Sequence, residues 1–235
     1  MPDQTIFTPF FLDKPLQGLD DLVQSDWIVN RPDLPQGDVQ QRMLALYEPL
    51  AVGVETAVRA GKRPVSMAGD CCASLGMLAG LQRAQLDPKL IWFDAHGDFN
   101  TWATSPSGFL GGMPLAWLVG RGEQTIAQDL GLNSLYEGKV TLTDARDLDP
   151  LEAEAVTSSA MSHLELVTDL DLGYLDAGTS VWVGVGAKSN NDFDTFVLGY
   201  EIYQVPEPSI LALLGIGLAG VGFTRRRMKC VEFTA

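Results

Sequence analysis

Asp94, His96 and Asp98 stand at alternate positions in the run Leu90-Ile91-Trp92-Phe93-Asp94-Ala95-His96-Gly97-Asp98-Phe99-Asn100-Thr101. Two carboxylates and an imidazole in such close order suit Mn²⁺ or Zn²⁺, and a carboxylate can bridge two ions. An ion held there would convert a bound water into hydroxide at neutral pH. The plainer reading is that Asp94 and Asp98 cap a helix and His96 is a satisfied loop residue. His96 is one of only 2 histidines in the chain, which favours the ligand reading.

Three donors need a rigid element to aim them. Residues 90–93 are apolar without a break and bounded by polar ones, which predicts a strand buried on both faces of a parallel sheet. The donors begin at its carboxyl end, where open α/β sheets place their sites. Upstream, Met43, Tyr47, Leu50, Val54 and Val58 recur at helical steps. They predict an amphipathic helix over 38–60, started by Asp38 and stopped near Gly61. A short buried strand follows at 64–67, ending at Gly69. A second helix then carries Leu75, Leu78 and Leu81 on one face, and Asp87-Pro88 closes it. Strand, helix, strand is the unit of a doubly wound parallel sheet. Residues 1–37 are rich in Pro, Asp and Gln and predict an early edge strand with loops.

Downstream of the donors, 102–112 is a loop rich in Ser, Thr, Gly and Pro. Short helices are expected over 113–119 and 123–130, separated at Gly120-Arg121-Gly122, and a strand over 140–143. Asp149, Pro150 and Glu152 form a helix-start signal, with Pro at the first helical position and Glu at the third. That helix is expected to run to about His163. Arg146, Asp147 and Asp149 are expected to serve as caps and a local ion pair.

Taken in order, these motifs resemble the ureohydrolases, the family of arginase, agmatinase and formiminoglutamase. Asp94-Ala95-His96-Gly97-Asp98 is similar to its Asp-Ala-His-x-Asp signature. Ala68-Gly69-Asp70-Cys71-Cys72-Ala73-Ser74 is similar to its Gly-Gly-Asp-His-Ser strand end. Ser107-Gly108-Phe109-Leu110-Gly111-Gly112-Met113-Pro114 resembles its substrate loop, and Asp144-Ala145-Arg146-Asp147-Leu148-Asp149-Pro150 a later strand end. The match covers about residues 35–160. It implies a three-layer α/β/α sandwich with a mostly parallel sheet. It also implies a metal-dependent hydrolase acting on linear C–N bonds of a guanidino or amidine-type substrate. Mn²⁺, as one or two ions, is the implied cofactor, with Zn²⁺ as the alternative. Asp94, His96 and Asp98 take the metal positions, His96 and Asp98 the catalytic ones, and Asn100 and Ser107 the substrate wall.

The departures from the family pattern are specific. Cys71 stands where the resemblance expects a histidine ligand. It is either a thiolate ligand, which favours zinc over manganese, or a small buried hydrophobe. Gly111 replaces a proton-shuttling histidine and Phe109 a polar substrate-reading residue, which makes arginine a doubtful substrate. The family's last metal motif is represented only by Asp169-Leu170-Asp171, with Asp176 at the wrong spacing. The interval after Pro150 is too short for the helices and strand the family places there. The site is therefore expected to be impaired and to hold metal weakly, mostly as one ion. Its donors are expected to meet Cys71 at the ends of adjacent strands.

The remainder of the chain has another character. Residues 180–186 and 193–202 alternate around Asn190-Asn191-Asp192, resembling the closing strands of a sandwich domain from an exported protein. Val205-Pro206-Glu207-Pro208-Ser209, an apolar run over 210–223 and Arg225-Arg226-Arg227 resemble a PEP-CTERM sorting signal, which an exosortase-type membrane protease reads. This implies membrane association through a C-terminal apolar helix, short for a full span, with the arginines on the cytoplasmic side. Gly215, Gly217 and Gly220 match GxGxxG formally, but no strand precedes them. Three segments are thus expected: a partial α/β domain over 1–163, a β segment over 164–204 and a sorting signal over 205–229.

A net charge of −14 offers no basic stripe for nucleic acid. With 46% hydrophobic residues the chain can bury a sizeable core. Cys71, Cys72 and Cys230 are an odd set that implies no disulfide framework. The first residues lack the basic and apolar pattern of a signal peptide, so the N-terminal domain is expected to be cytoplasmic. That sits awkwardly with a sorting signal. The second function class is accordingly a non-enzymatic, exported, membrane-anchored surface protein, or a chimeric gene product without activity joined near residue 163.

Overall fold

The computed structural model describes residues 1–164 and the backbone of Val181–Val185. The first strand, β1 (Asp3–Thr8), leads into a small antiparallel pair, β2 (Phe10–Phe11) and β3 (Lys14–Pro15). After β4 (Ile28–Val29) comes the long helix α1 (Val39–Arg59), then β5 (Arg63–Ala68) and α2 (Ser74–Arg83). The central strand β6 (Lys89–Asp94) is followed by the short helices α3 (Pro114–Leu118) and α4 (Thr125–Asp129). Then come β7 (Val140–Asp144), α5 (Pro150–Thr157), β8 (Ser162–Leu164) and β9 (Val181–Val185).

Two parallel sheets result, in the orders β4-β1-β5 and β8-β7-β6-β9. β1 is therefore a middle strand, not the edge strand its polar surroundings predict. Ile6, Phe7 and Thr8 are buried because β4 and β5 flank them. β5, expected to be a buried strand, is an edge, and only Pro64 in it is buried.

α1 forms where its spacing places it. Asp38 accepts from Gln41 N–H, and Gln41 returns the bond to Asp38 N–H. This capping box satisfies two of the N–H groups a helix start leaves open. Pro49 lies within the helix without ending it. Met43, Tyr47, Leu50 and Val54 are buried against α2, whose Leu75, Leu78 and Leu81 face back. Apolar side chains from all five helices join one core with Ile6, Trp92, Val140 and Leu142. Trp92 and Leu142 are paired neighbours in the sheet, so the described helices supply one layer on that face.

α5 ends at Thr157, short of the expected His163, and residues near His163 instead form β8 beside β7. The alternating segment at Val181–Val185 is a strand lying parallel to β6, with Phe93 opposite Val185.

Candidate metal centre

β6 runs buried as far as Asp94 and then turns sharply. Asp98 adopts a left-handed backbone with φ 48°, a conformation Asp tolerates better than most residues. The Asp98 carbonyl accepts from Leu115 N–H at 2.9 Å and Ala116 N–H at 3.2 Å, at the start of α3. Phe99 N–H donates to Glu152 Oε1 at 2.8 Å, and Arg121 lies 4.7 Å over the Phe99 ring. The chain between β6 and α3 is thus held from three directions.

The parallel register sets Asp94 beside Asp144. The two strand ends stay joined past the sheet, through Ala145 N–H to Asp94 O and Asp147 N–H to Ala95 O, each 2.8 Å. Asp144 and Ala145 also take positive φ, 72° and 45°, so β7 turns away just as β6 does. Arg146 pairs with Asp144, and Asp149 caps α5, as expected of them. Asp147 does more: its carboxylate lies 3.6 Å from His96 Nε2. The repeat of Asp-Ala at 94–95 and 144–145 is the sequence signal for this second turn.

Asp94 Oδ1 accepts from His96 N–H and meets His96 Nδ1, both at 3.0 Å. Asp98 is 4% exposed, and its Oδ2 is buried without a hydrogen-bond partner. Burial, and then the charge of Asp94, push the Asp98 carboxyl well above its ordinary range, although a hydrogen bond from Cys71 acts the other way. The Cys71 thiol, which also donates to Gly111 O at 3.4 Å, is half-buried. Its hydrogen bond with Cys72, burial and the Asp98 charge raise it well above the usual thiol value. Cys71 thus lies near enough to Asp98 to act on its carboxyl, but β5, the strand that leads to it, is not a neighbour of β6. β5 and β6 belong to different sheets, and Asp70, past the end of β5, accepts from Cys72 N–H at 2.8 Å and from Leu12 N–H.

Glu152 was expected only as a cap, and it does perform that task, accepting from Asp149 N–H at 3.2 Å. It is also 3% exposed and props the turn below His96: a Cβ added to Gly97 would stand 2.7 Å from Glu152 Oε1. Burial raises its carboxyl above the ordinary value. Asn100 is buried, with its amide donating to Asp149 Oδ2 at 2.9 Å and its N–H to Gly112 O at 3.0 Å. Ser107 is exposed on the loop and accepts from Phe109 N–H at 3.3 Å. Asp169 and Asp171 lie outside the described residues. Among the described residues, no group of three His, Cys, Asp or Glu is set to hold an ion.

The model of the Arginase family matches residues 20–206. The chain belongs to the arginase family. The match extends beyond residues 35–160, where the motifs are readable by eye, and it includes β9. Arginase from Bacillus caldovelox is 32% identical over 180 residues, 63% of this chain and 60% of that protein. Arginase from Bacillus subtilis is 37% identical over 120 residues, 51% of this chain and 40% of that protein. The chain thus spans about 60% or less of the length of these curated relatives. The crystal structure of Bacillus subtilis arginase is similar with a TM-score of 0.57 at 29% identity, covering 69% of this chain and 62% of that one. The arginase-like α/β fold with mostly parallel sheets is therefore established. A PEP-CTERM protein-sorting motif matches residues 204–227. No helix among the described residues is long and apolar enough to cross a membrane, and the apolar run at 210–223 lies outside them.

Proposed function

We propose that the turn after β6 is the metal centre of an arginase-family hydrolase acting on linear C–N bonds of a guanidino or amidine-type substrate. The observation that carries this is Asp98, a buried carboxylate with an unpartnered oxygen set against Asp94 at a strand's carboxyl end. Two buried carboxylates without a cation between them are costly, and a divalent ion relieves that cost. The donors fit one ion better than a bridged pair. Asp94, His96 and Asp98 would hold it, with Mn²⁺ the family's choice and Zn²⁺ the alternative. When bound, the ion lowers the pKa of its water. Asp169 and Asp171 are the carboxylates available for a second ion.

The chain's own residues have separable tasks. Asp94 orients His96 through its ring and its backbone. His96 Nδ1 faces Asp94 and Nε2 faces Asp147, so the ring would take the ion through one nitrogen by giving up that contact. Asn100 and Ser107 bound the substrate loop, Asn100 by tying it to α5 and Ser107 from its exposed face. Phe109 and Gly111 stand where arginases carry polar residues, which makes arginine a doubtful substrate. Residues 205–229 act as a sorting signal that directs the chain to the membrane and an exosortase-type protease.

The test is release of urea or ammonia from a panel of guanidino and amidine compounds by the full chain supplied with Mn²⁺ or Zn²⁺. Slow, metal-dependent turnover that Asp98→Asn abolishes is expected. No turnover with any compound would favour the second reading, a non-enzymatic exported anchored protein or an inactive chimera. The lack of a ready three-donor group among the described residues is what keeps that reading open.

A further inference from the structure

We infer that Phe11 and Phe109 form an aromatic face that selects guanidino compounds with an apolar, aryl-type tail. The inference rests on the turn after β6 being the reacting centre, and it names the tail that a substrate of that centre would carry. The first observation behind it is the ring pair. Phe11 in β2 and Phe109 in the loop before α3 have ring centroids 6.1 Å apart and planes 18° apart, an offset stack in the favourable range. Phe109 is nonetheless 40% exposed, so much of its ring is open to a further apolar group. Exposed aromatic surface of this kind marks ligand-binding positions.

The second observation is where the loop is tied. The Phe109 ring covers Gly111, since a Cβ added there would stand 2.4 Å from Phe109 Cε1. Gly112 O accepts from Asn100 N–H at 3.0 Å, and Asp98 O accepts from Leu115 N–H at 2.9 Å. The loop is thus bound at its end to the turn that carries Asp94, His96 and Asp98, and the exposed ring flanks that turn. The loop's own donors are also spent. Gly108 N–H bonds Ser105 Oγ at 3.0 Å, Phe109 N–H bonds Ser107 Oγ at 3.3 Å, and Gly112 N–H bonds Phe109 O at 3.2 Å. An amino or carboxylate group laid against the rings would lose water and gain none of these donors. An aryl tail loses little water and gains ring contact and apolar burial. Lys14 stands opposite Phe11 in the hairpin and is exposed, so an anionic tail is the competing class.

Calorimetry on the full chain compares phenethylguanidine, methylguanidine and guanidinopropionate, which share the guanidino head and differ in the tail. Urea release with Mn²⁺ or Zn²⁺ supplied is measured in parallel. Phenethylguanidine should bind about tenfold more tightly than either of the others, the gain expected from covering a half-exposed ring. Phe109→Ser should remove most of that preference, and Phe109→Tyr, which keeps the ring, should retain it. Tighter binding of guanidinopropionate would overturn the inference and assign the tail to Lys14. A preference for phenethylguanidine that survives Phe109→Ser would also overturn it. Equal binding of all three, or binding of none, would overturn it as well, while urea release decides the hydrolase reading separately. A Phe109-dependent preference without turnover of any compound would uphold the aromatic face and overturn the hydrolase reading.

Discussion

Asp98 is the residue on which the metal reading turns, and its burial makes a two-sided prediction. Asp98→Asn keeps the left-handed turn, which Asn tolerates, and removes a buried charge facing Asp94. The metal-free variant should therefore melt at or above the wild-type temperature, with a gain on the order of 1 kcal/mol. Added metal should no longer raise its melting temperature, whereas the wild type should respond to metal. Differential scanning fluorimetry with and without ion reads both effects. Glu152 makes the opposite case. Glu152→Ala leaves Phe99 N–H without its buried acceptor and opens the α5 cap. The expected loss is about 2–4 kcal/mol by urea unfolding, from an orphaned donor and a lost cap together. A loss under about 1 kcal/mol would mean that Glu152 does not hold the turn.

Elements place these residues through joints that are themselves testable. Gly97→Ala should cost about 2 kcal/mol or more and misplace His96, because the added carbon meets Glu152 Oε1 at 2.7 Å and Leu148 Cδ2 at 2.8 Å. Farther out, Arg121 joins the Phe99 ring to Glu137 at 2.6 Å, and Glu137 also accepts from Ala160 N–H at 2.8 Å beyond α5. Burial acts to raise the Glu137 carboxyl, but those two hydrogen bonds outweigh it and hold it below the ordinary value. A carboxyl depressed on folding contributes stability above its unfolded pKa and loses it as pH falls through the folded one. Glu137→Gln should cost about 1 kcal/mol at neutral pH, and the gap from wild type should close below about pH 4. A gap that persists at low pH would assign the cost to shape rather than charge.

At this same scale the sequence was informative where the signal is local. The β6 run, the Asp38 and Asp149 caps and the helical periods of α1 and α2 depend on neighbours in sequence, and each element appears where those neighbours place it. β1 was misread as an edge because the strands that cover it, β4 and β5, lie far along the chain. β8 was hidden because Ser162-His163-Leu164 carries too little pattern to interrupt a helix signal. Of the site, the place of Asp94 at the carboxyl end of β6 was legible from the apolar run before it. The second role of Glu152 was not, since its cap pattern accounts for it fully and its contact with Phe99 spans distant sequence.

For the whole molecule, the arginase-family match covers residues 20–206 and the PEP-CTERM sorting motif residues 204–227. If residues 205–229 are a sorting signal, the full chain should fractionate with membranes in a host that has the processing protease, and truncation before Pro206 should release it. A full chain that stays soluble there would refute the signal reading without touching the metal centre. The body itself is tested most directly by equilibrium dialysis of the purified chain against Mn²⁺ or Zn²⁺, with elemental analysis of the bound ion. One ion per chain, lost in Asp98→Asn, is the predicted result. No bound ion, or binding that Asp98→Asn leaves intact, would contradict the claim that the turn after β6 is a metal centre.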